Sequence, residues 1–352
     1  MIAMSGGVDS SVAAYLMREA GFDCVGVQMK LFENEDAGLS RESACCSLES
    51  AEDARRVAFG LDMPFYVWNF SDEFRCEVID RFAAAYAAGR TPNPCIDCNR
   101  YLKFGALLRR ARALGFDALA TGHYARVEKS GGQYLLKKAA DETKDQSYVL
   151  YMLSQAELSL LRLPLGELRK SETRQIAARQ GFAVARKPDS QDLCFAPDGD
   201  YAAAAERALG RAFAPGDFVD AEGRVLGRHA GIGRYTLGQR RGLGISNEAP
   251  LYVCGIEPAE NRVVLGGPEA LLSRTLEAND FNWIAGRAPD GPLRARAKVR
   301  YRQPEQPATV TPTGPDSVRV VFDEAQRAIT PGQIVVLYDG DIVLGGGTIT
   351  AR

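Results

Sequence analysis

The sequence predicts an α/β protein built on a doubly wound parallel sheet, followed by a small β-rich central domain and a C-terminal β-barrel. Three observations carry that prediction. Strand-like and helix-like segments alternate through the first half of the chain, as parallel sheets with crossover helices require. From Pro215 onward the texture changes to short apolar runs split by Gly, Pro and Asp. A chain of 352 residues also exceeds what one hydrophobic core ordinarily serves, so two or three domains are expected. Their boundaries are placed at 1–198, 199–273 and 274–352.

The first strand is the apolar run 1–4, and it leads through a Ser- and Gly-rich turn into an amphipathic helix over 10–20 that Gly21 stops. Strand 24–29, helix 48–60 and strand 65–70 follow, and then a helix over 72–88 that ends at Gly89. After a Pro-rich loop, helix 102–114 stops at Gly115 and strand 117–121 follows. In such a sheet, ligands bind outside the carboxyl ends of the strands, where the first turn sits. Helical patterns dominate to about residue 180, including 146–153 and 170–179. The linker-like Ala196-Pro197-Asp198-Gly199 precedes a last helix over 201–209. The segment 218–226 reads as a hairpin, and runs at 262–265, 295–301, 317–322, 334–338 and 342–350 have strand length and β-branched content. They imply the central β domain and, from roughly residue 275, the barrel.

With 46% hydrophobic and 25% charged residues, the composition is that of an ordinary soluble globular protein. No apolar run approaches membrane-spanning length and no signal-peptide pattern opens the chain, whose first strand starts at the initiator Met. Cytoplasm and no membrane partner are therefore expected. Eight cysteines in a chain of this size are not a disulfide framework. Cys24 and Cys254 lie in apolar strand-like runs and read as core thiols, while Cys76 and the adjacent Cys45-Cys46 carry no signal. The net charge of −2 gives no bulk support for nucleic-acid binding. The distribution does: 169–187 holds six basic residues against Glu172, 227–241 holds four Arg and His229 without an acid, and 286–302 holds six basic residues against Asp290. Together they suggest a positive face for a polyanionic partner.

The chemistry concentrates in a few segments. In Ser5-Gly6-Gly7-Val8-Asp9-Ser10-Ser11, glycines without a Cβ let backbone N–H groups close around an anion. The serine hydroxyls and the unpaired amides of the following helix converge on the same spot, which makes a phosphate cradle. No Gly-Lys-Ser or Gly-Lys-Thr follows, so it is not a Walker A loop. In Arg90-Thr-Pro-Asn-Pro-Cys95-Ile-Asp-Cys98-Asn99, two prolines stiffen a loop that carries Cys-x-x-Cys spacing, suited to metal ligation or to a redox thiol pair. Cys194 follows a basic stretch, and nearby positive charge favours the reactive thiolate. ATP activation beside reactive thiols suggests moving sulfur onto an adenylated substrate. Ala120-Thr-Gly122-His123-Tyr-Ala-Arg126 closes a parallel strand and would face the same nucleotide, and Lys144-Asp145-Gln146 lies in a charged loop suited to gripping a partner.

The glycine turn resembles the PP-loop of ATP pyrophosphatases, which cut ATP between its α- and β-phosphates and leave AMP on a substrate. The chain as a whole resembles the tRNA-specific 2-thiouridylases, which thiolate the wobble uridine of certain tRNAs. Besides the turn, the resemblance rests on Gly89-Arg-Thr-Pro-Asn-Pro94, Ala120-Thr-Gly-His-Tyr-Ala125, Lys144-Asp-Gln-Ser-Tyr148, Asp192-Leu-Cys-Phe195 and Tyr235-Thr-Leu-Gly-Gln-Arg-Arg-Gly-Leu-Gly244. Arg300-Tyr-Arg-Gln303 and Thr330-Pro-Gly-Gln333 continue it into the barrel. It implies a PP-loop domain of the adenine nucleotide α-hydrolase kind, with ATP and Mg²⁺ as cofactors. Ala3, Met4, Ser5, Gly6, Gly7, Val8, Asp9 and Ser10 would wrap the phosphates, and Met29 and Gly122 would contact the nucleotide. Asn93, Pro94 and Cys95 would meet the target base, with Cys98 the nucleophilic thiol and Cys194 the persulfide carrier. His123, Lys144, Asp145, Gln146, Arg300, Tyr301 and Gln333 would touch the tRNA anticodon stem-loop. A sulfur donor such as a cysteine desulfurase or a relay protein is a further implied partner.

One departure matters. Well-known members carry Asp-x-x-Cys where this chain has Cys95-x-x-Cys98, and an Asp there could serve as a general base. Cys95, Cys98 and Cys194 could instead hold three corners of an iron–sulfur cluster whose fourth iron binds sulfide. The persulfide and cluster routes use the same thiols, and the extra cysteine tilts the reading slightly toward a cluster-capable site.

Overall fold

The structure, a computed structural model, describes residues 1–32, 48–189 and 192–352; Cys45 and Cys46 lie outside them. Strands β1 (Ile2–Ala3), β2 (Gly26–Lys30), β3 (Phe65–Asn69) and β4 (Leu119–Ala120) come first. A hairpin of β5 (Arg126–Ser130) and β6 (Gln133–Lys137) separates them from β7 (Leu161–Arg162). The parallel sheet has the order β3-β2-β1-β4-β7. The chain winds outward from β1 to β3, then returns to β4 on the other side of β1. That reversal puts a topological switch point at the carboxyl end of β1, the place where open α/β sheets bind ligands. Helix α1 (Val8–Glu19) leaves β1 there, and α2 (Leu48–Gly60) leads into β3.

Besides the helix expected over 146–153, which forms only a 3₁₀ turn, Ser147–Leu150, two segments differ from the sequence reading. The helix expected over 102–114 begins at Pro94 and runs to residue 113 with a π-helical stretch, Cys98–Leu107. Cys95 and Cys98 therefore lie on its first turns and not in a Pro-stiffened loop. The reason is that Pro94 occupies the first helical position, where its fixed φ suits the helix and its missing N–H has no acceptor to lose. The second difference is the hairpin 126–137, in a region read as mainly helical. Gly131 and Gly132 both have positive φ, as a two-residue hairpin turn demands.

The central sheet joins β8 (Gly216–Val219), β9 (Val225–His229), β10 (Tyr252–Glu257) and β11 (Arg262–Gly266) in the order β10-β11-β8-β9. The barrel comprises β12 (Leu272–Trp283), β13 (Leu293–Lys298), β14 (Gln306–Gly314), β15 (Ser317–Arg327), β16 (Ile334–Asp339) and β17 (Ile342–Ala351). Its order is β12-β15-β14-β13-β16-β17, and pairing of β12 with β17 closes it. β16 shows how the barrel is fixed to the rest. Val335 and Leu337 point into the barrel core, whereas Ile334, Val336 and Tyr338 point into the core of the first domain, as strand alternation dictates. Tyr148 donates to the Ile334 carbonyl at 2.8 Å across this seam, and Asn282 donates to the Tyr151 carbonyl at 2.7 Å. The barrel is thus fixed to the first domain through the 148–151 segment.

Candidate active site

The nucleotide turn is braced from within. Ser10 is buried; its Oγ lies 3.2 Å from Ser5 Oγ, accepts from Ser5 N–H at 3.1 Å and donates to the Gly7 carbonyl at 3.1 Å. Ser11 donates to the same carbonyl at 2.9 Å. The serine hydroxyls, expected to grip phosphate, are hydrogen-bonded within the turn, and the first-turn amides of α1 have no intrahelical acceptor, which makes a seat of the kind that suits an anion. Gly6 has φ +74°, and a Cβ there would collide with the Ser50 carbonyl at the start of α2. Met4 and Val8 send their side chains into the core, leaving backbone at the turn, while Ala3 and Met29 pack against the main cluster.

Around this seat lies a connected set of charges. Lys170 Nζ is 2.7 Å from both carboxylate oxygens of Asp9, and the Tyr124 hydroxyl donates to Asp9 at 2.9 Å. Lys170 also lies 2.8 Å from Asp189, which pairs with Lys144 and Arg174, each at 2.8 Å. Burial alone would raise Asp189, but hydrogen bonds from Lys144 and Lys170 hold it at about 2. Lys187 reaches in from the other side, 2.9 Å from Asp53 and 3.3 Å from the Gly6 carbonyl. Part of the basic stretch 169–187 thus turns toward the nucleotide seat.

The thiol helix has a different character. Cys95 keeps solvent contact, yet the protein around it is dense enough that desolvation pushes its thiol up to about 11, against the pull of Lys103. Burial likewise raises Cys98, again opposed by Lys103. Cys98 and Lys103 stand five residues apart inside the π-helical stretch, whose hydrogen bonds run from i to i+5, so they share a face. Desolvation also raises Asp97 to about 6. Cys194 packs against the same cluster as Cys98. Its neighbour Phe195 sits edge-on to Phe74 and Phe82 at 6.0 and 5.1 Å. Asp192, hydrogen-bonded by Tyr201, is close enough to raise Cys95. The segment carrying Cys194 therefore lies over the thiol helix. Among the described residues, no three His, Cys, Asp or Glu side chains form a group able to hold a metal ion.

One short loop touches both halves. A Cβ on Gly122 would stand 2.8 Å from the Asp9 carbonyl carbon and the Ser10 nitrogen, so only glycine allows β4 to abut the turn. The next residue, His123, is buried against Phe104 of the thiol helix, with ring centroids 5.8 Å apart and its Nδ1 2.8 Å from Thr121 Oγ1. Desolvation, assisted by Lys103, keeps it neutral.

The residues expected to touch RNA divide by orientation. Gln333 donates to the Thr91 carbonyl at 2.7 Å, beside Asn93 and Pro94, and Tyr301 donates to the Asp145 carbonyl at 3.1 Å. Barrel, Pro-rich segment and 144–146 loop thereby meet on the rim around Cys95. The Asp145 carboxylate accepts from the Ala139 amide at 3.0 Å and the Ser147 hydroxyl at 2.8 Å, and Gln146 accepts from the Tyr124 amide at 2.9 Å. Arg300 points inward, donating to the Ala328 carbonyl at 2.9 Å and Thr330 at 2.8 Å. Lys103, Tyr124, Lys170 and Lys187 escaped the sequence reading. Only Lys103 had a local signal, its spacing from Cys98; the others reach the turn from more than 100 residues away.

Comparison with known proteins gives a consistent picture. A tRNA methyl transferase HUP domain matches residues 1–198, a tRNA methyl transferase PRC-barrel domain 206–267 and an aminomethyltransferase β-barrel domain 273–349. The chain is 50% identical over 351 residues to the tRNA-specific 2-thiouridylase MnmA of Clostridioides difficile (strain 630), covering 99% of this chain and 97% of that one. It is 51% identical over 351 residues to the same-named protein of Moorella thermoacetica, covering 99% and 98%. A third relative of that name, from Roseiflexus castenholzii, is 50% identical over 365 residues with 99% and 98% covered.

Proposed function

This chain belongs to the tRNA-specific 2-thiouridylase family, ATP-using sulfurtransferases of tRNA, and on that premise we propose how its site performs the reaction. The wobble uridine of the tRNA anticodon loop is the target, unstacked into the rim at Asn93, Pro94 and Cys95, which a single-stranded loop permits at low cost. The uracil 2-oxygen attacks the α-phosphorus of ATP and pyrophosphate leaves, converting a poor leaving group into AMP. Sulfur from a persulfide on Cys194 then adds at carbon-2 and AMP departs. Attack by Cys98 on the Cys194 sulfur releases the thiolated base and leaves a Cys98–Cys194 disulfide for an external thiol to reopen.

The observation that carries this reading is the loop 121–124, which abuts the Asp9–Ser10 backbone through Gly122 and the thiol helix through His123. A base beside that loop can meet both the nucleotide seat and a thiol. The division 1–198, 199–273 and 274–352 then reads as catalytic, central and tRNA-contacting parts. His123, Lys144, Asp145, Gln146, Arg300, Tyr301 and Gln333 are assigned to tRNA, directly or by shaping the rim. Mg²⁺ would neutralise the phosphates, and Asp9, held by Lys170 in this structure, is the carboxylate of the turn that would hold it. Among the described residues no group of three side chains able to hold a metal ion forms, and we route no step through a cluster. A desulfurase or relay protein supplies the persulfide. Among the described residues no helix is long and apolar enough to cross a membrane, and the cytoplasm is the proposed location.

Exchange of labelled pyrophosphate into ATP tests the activation step. It should require a tRNA with an unmodified wobble uridine. Exchange without tRNA would contradict the assigned target and favour activation of a small molecule.

A further inference from the structure

Lys187 lies against the backbone of the glycine turn. Its ammonium lies 3.3 Å from the carbonyl of Gly6, the residue at which the anion-binding turn changes direction, and 3.4 Å from Ser50 Oγ. Its carboxylate partner is Asp53 at 2.9 Å, one turn along α2 from Ser50. Both side chains are largely covered, 34% and 12% exposed, so the pair is screened from solvent but open toward the turn. Lys170 holds Asp9 of the same turn. A polyanion entering the turn would therefore meet two lysines, one held at Gly6 and one at Asp9.

We propose that Lys187 is a phosphate ligand of ATP, contacting the pyrophosphate portion and releasing its contact with the Gly6 carbonyl when the nucleotide binds. This rests on the reading that the turn binds ATP. The step it serves breaks the bond between the α-phosphorus and the bridging oxygen to the β-phosphate. The electron pair stays with that oxygen, and a cation beside the departing pyrophosphate stabilises the added charge. Lys187 has the compact ammonium suited to this, much as a point-charge lysine serves other phosphate sites. The geometry allows one other role, a pin that ties α2 to the turn through Asp53. The two roles make opposite demands on Asp53. A pin needs the carboxylate, whereas a phosphate ligand gains reach when the carboxylate is gone.

Calorimetric binding of ATP, pyrophosphate and AMP to the full chain with Mg²⁺ separates them. Lys187→Met should weaken ATP and pyrophosphate about tenfold or more while AMP stays within about twofold. Lys187→Arg should recover most of the loss, and Asp53→Asn should leave ATP binding unchanged or tighter. Equal loss of ATP and AMP in Lys187→Met, no loss of ATP, or an Asp53→Asn defect matching that of Lys187→Met would each overturn the assignment. A native chain that binds none of the three ligands would remove the nucleotide reading of the turn itself. That outcome is distinct from a failure confined to Lys187.

Discussion

The nucleotide turn and the thiol helix face one rim but are built on opposite electrostatic plans. At the turn, Asp9, Asp53 and Asp189 each have a lysine within 2.9 Å. On the helix, Cys95 and Cys98 share the field of Lys103, which makes no ion pair among the described residues. A seat whose charges are already paired can exchange partners with a polyanion without first stripping water from bare ions. A desolvated thiol does the reverse and stays protonated until something lowers the cost of its charge, which restrains stray oxidation. In the proposed reaction this keeps the half that would form the electrophile ready and the half that would carry sulfur quiet.

That contrast can be broken one half at a time. Cys98→Ser and Cys194→Ser should each abolish thiolation, read by mass spectrometry of tRNA nucleosides, with ATP affinity unchanged; turnover in either variant would refute the sulfur chemistry. Asp9→Ala, which strips Lys170 of its main partner, should lower thiolation by about 100-fold or more. Binding of tRNA in a filter assay should stay within about twofold, and parallel loss of both would mean that the turn only supports the fold.

Lys103→Met sharpens the comparison on the thiol side. Removing the cation raises a thiol that burial has already raised, so alkylation of Cys98 by iodoacetamide at fixed alkaline pH should slow about tenfold. The exposed Cys76 serves as the control, and Lys103→Arg should restore the rate. An unchanged rate would remove Lys103 from the sulfur site.

Asp97 gives the smallest effect. Its carboxyl sits at about 6 in the fold, raised by burial, against 3.8 for a free group. The folded state therefore holds that proton more tightly, and its contribution to stability is present below pH 4 and lost as pH rises through 6. Asp97→Asn should then stabilise the protein by about 1 kcal/mol at pH 8, less than the full shift implies because solvent screens part of it. No gain is expected at pH 4. Denaturant titrations at the two pH values check the sign.

The turn was legible in the sequence because its chemistry is local: two glycines, a helix start and bracing serines lie within seven residues. The alternating sheet and four of the six barrel strands, β13, β15, β16 and β17, were legible for the same reason, since hydrophobic period and turn residues act over short range, whereas β12 and β14 were not read. Pro94 misled because one residue type both stiffens loops and opens helices, and the choice depends on what packs against the next turns. The hairpin 126–137 carried its Gly-Gly signal but was outweighed by helical patterns on either side. The charge network stayed hidden for a different reason. Lys170 and Lys187 belong to a basic stretch that reads as an outward face, and only the fold turns them toward Asp9 and Gly6. Arg300, assigned to tRNA, shows the same limit: its guanidinium hydrogen-bonds the 328–330 loop, a placement that no local residue announces.

The central claim is that the uracil 2-oxygen itself is adenylated and then displaced by sulfur. A tRNA carrying oxygen-18 at position 2 of the wobble uridine, turned over once with ATP and a sulfur donor, tests it directly. One oxygen-18 atom should appear in the released AMP for each thiolated uridine formed. Unlabelled AMP accompanying full thiolation would contradict it.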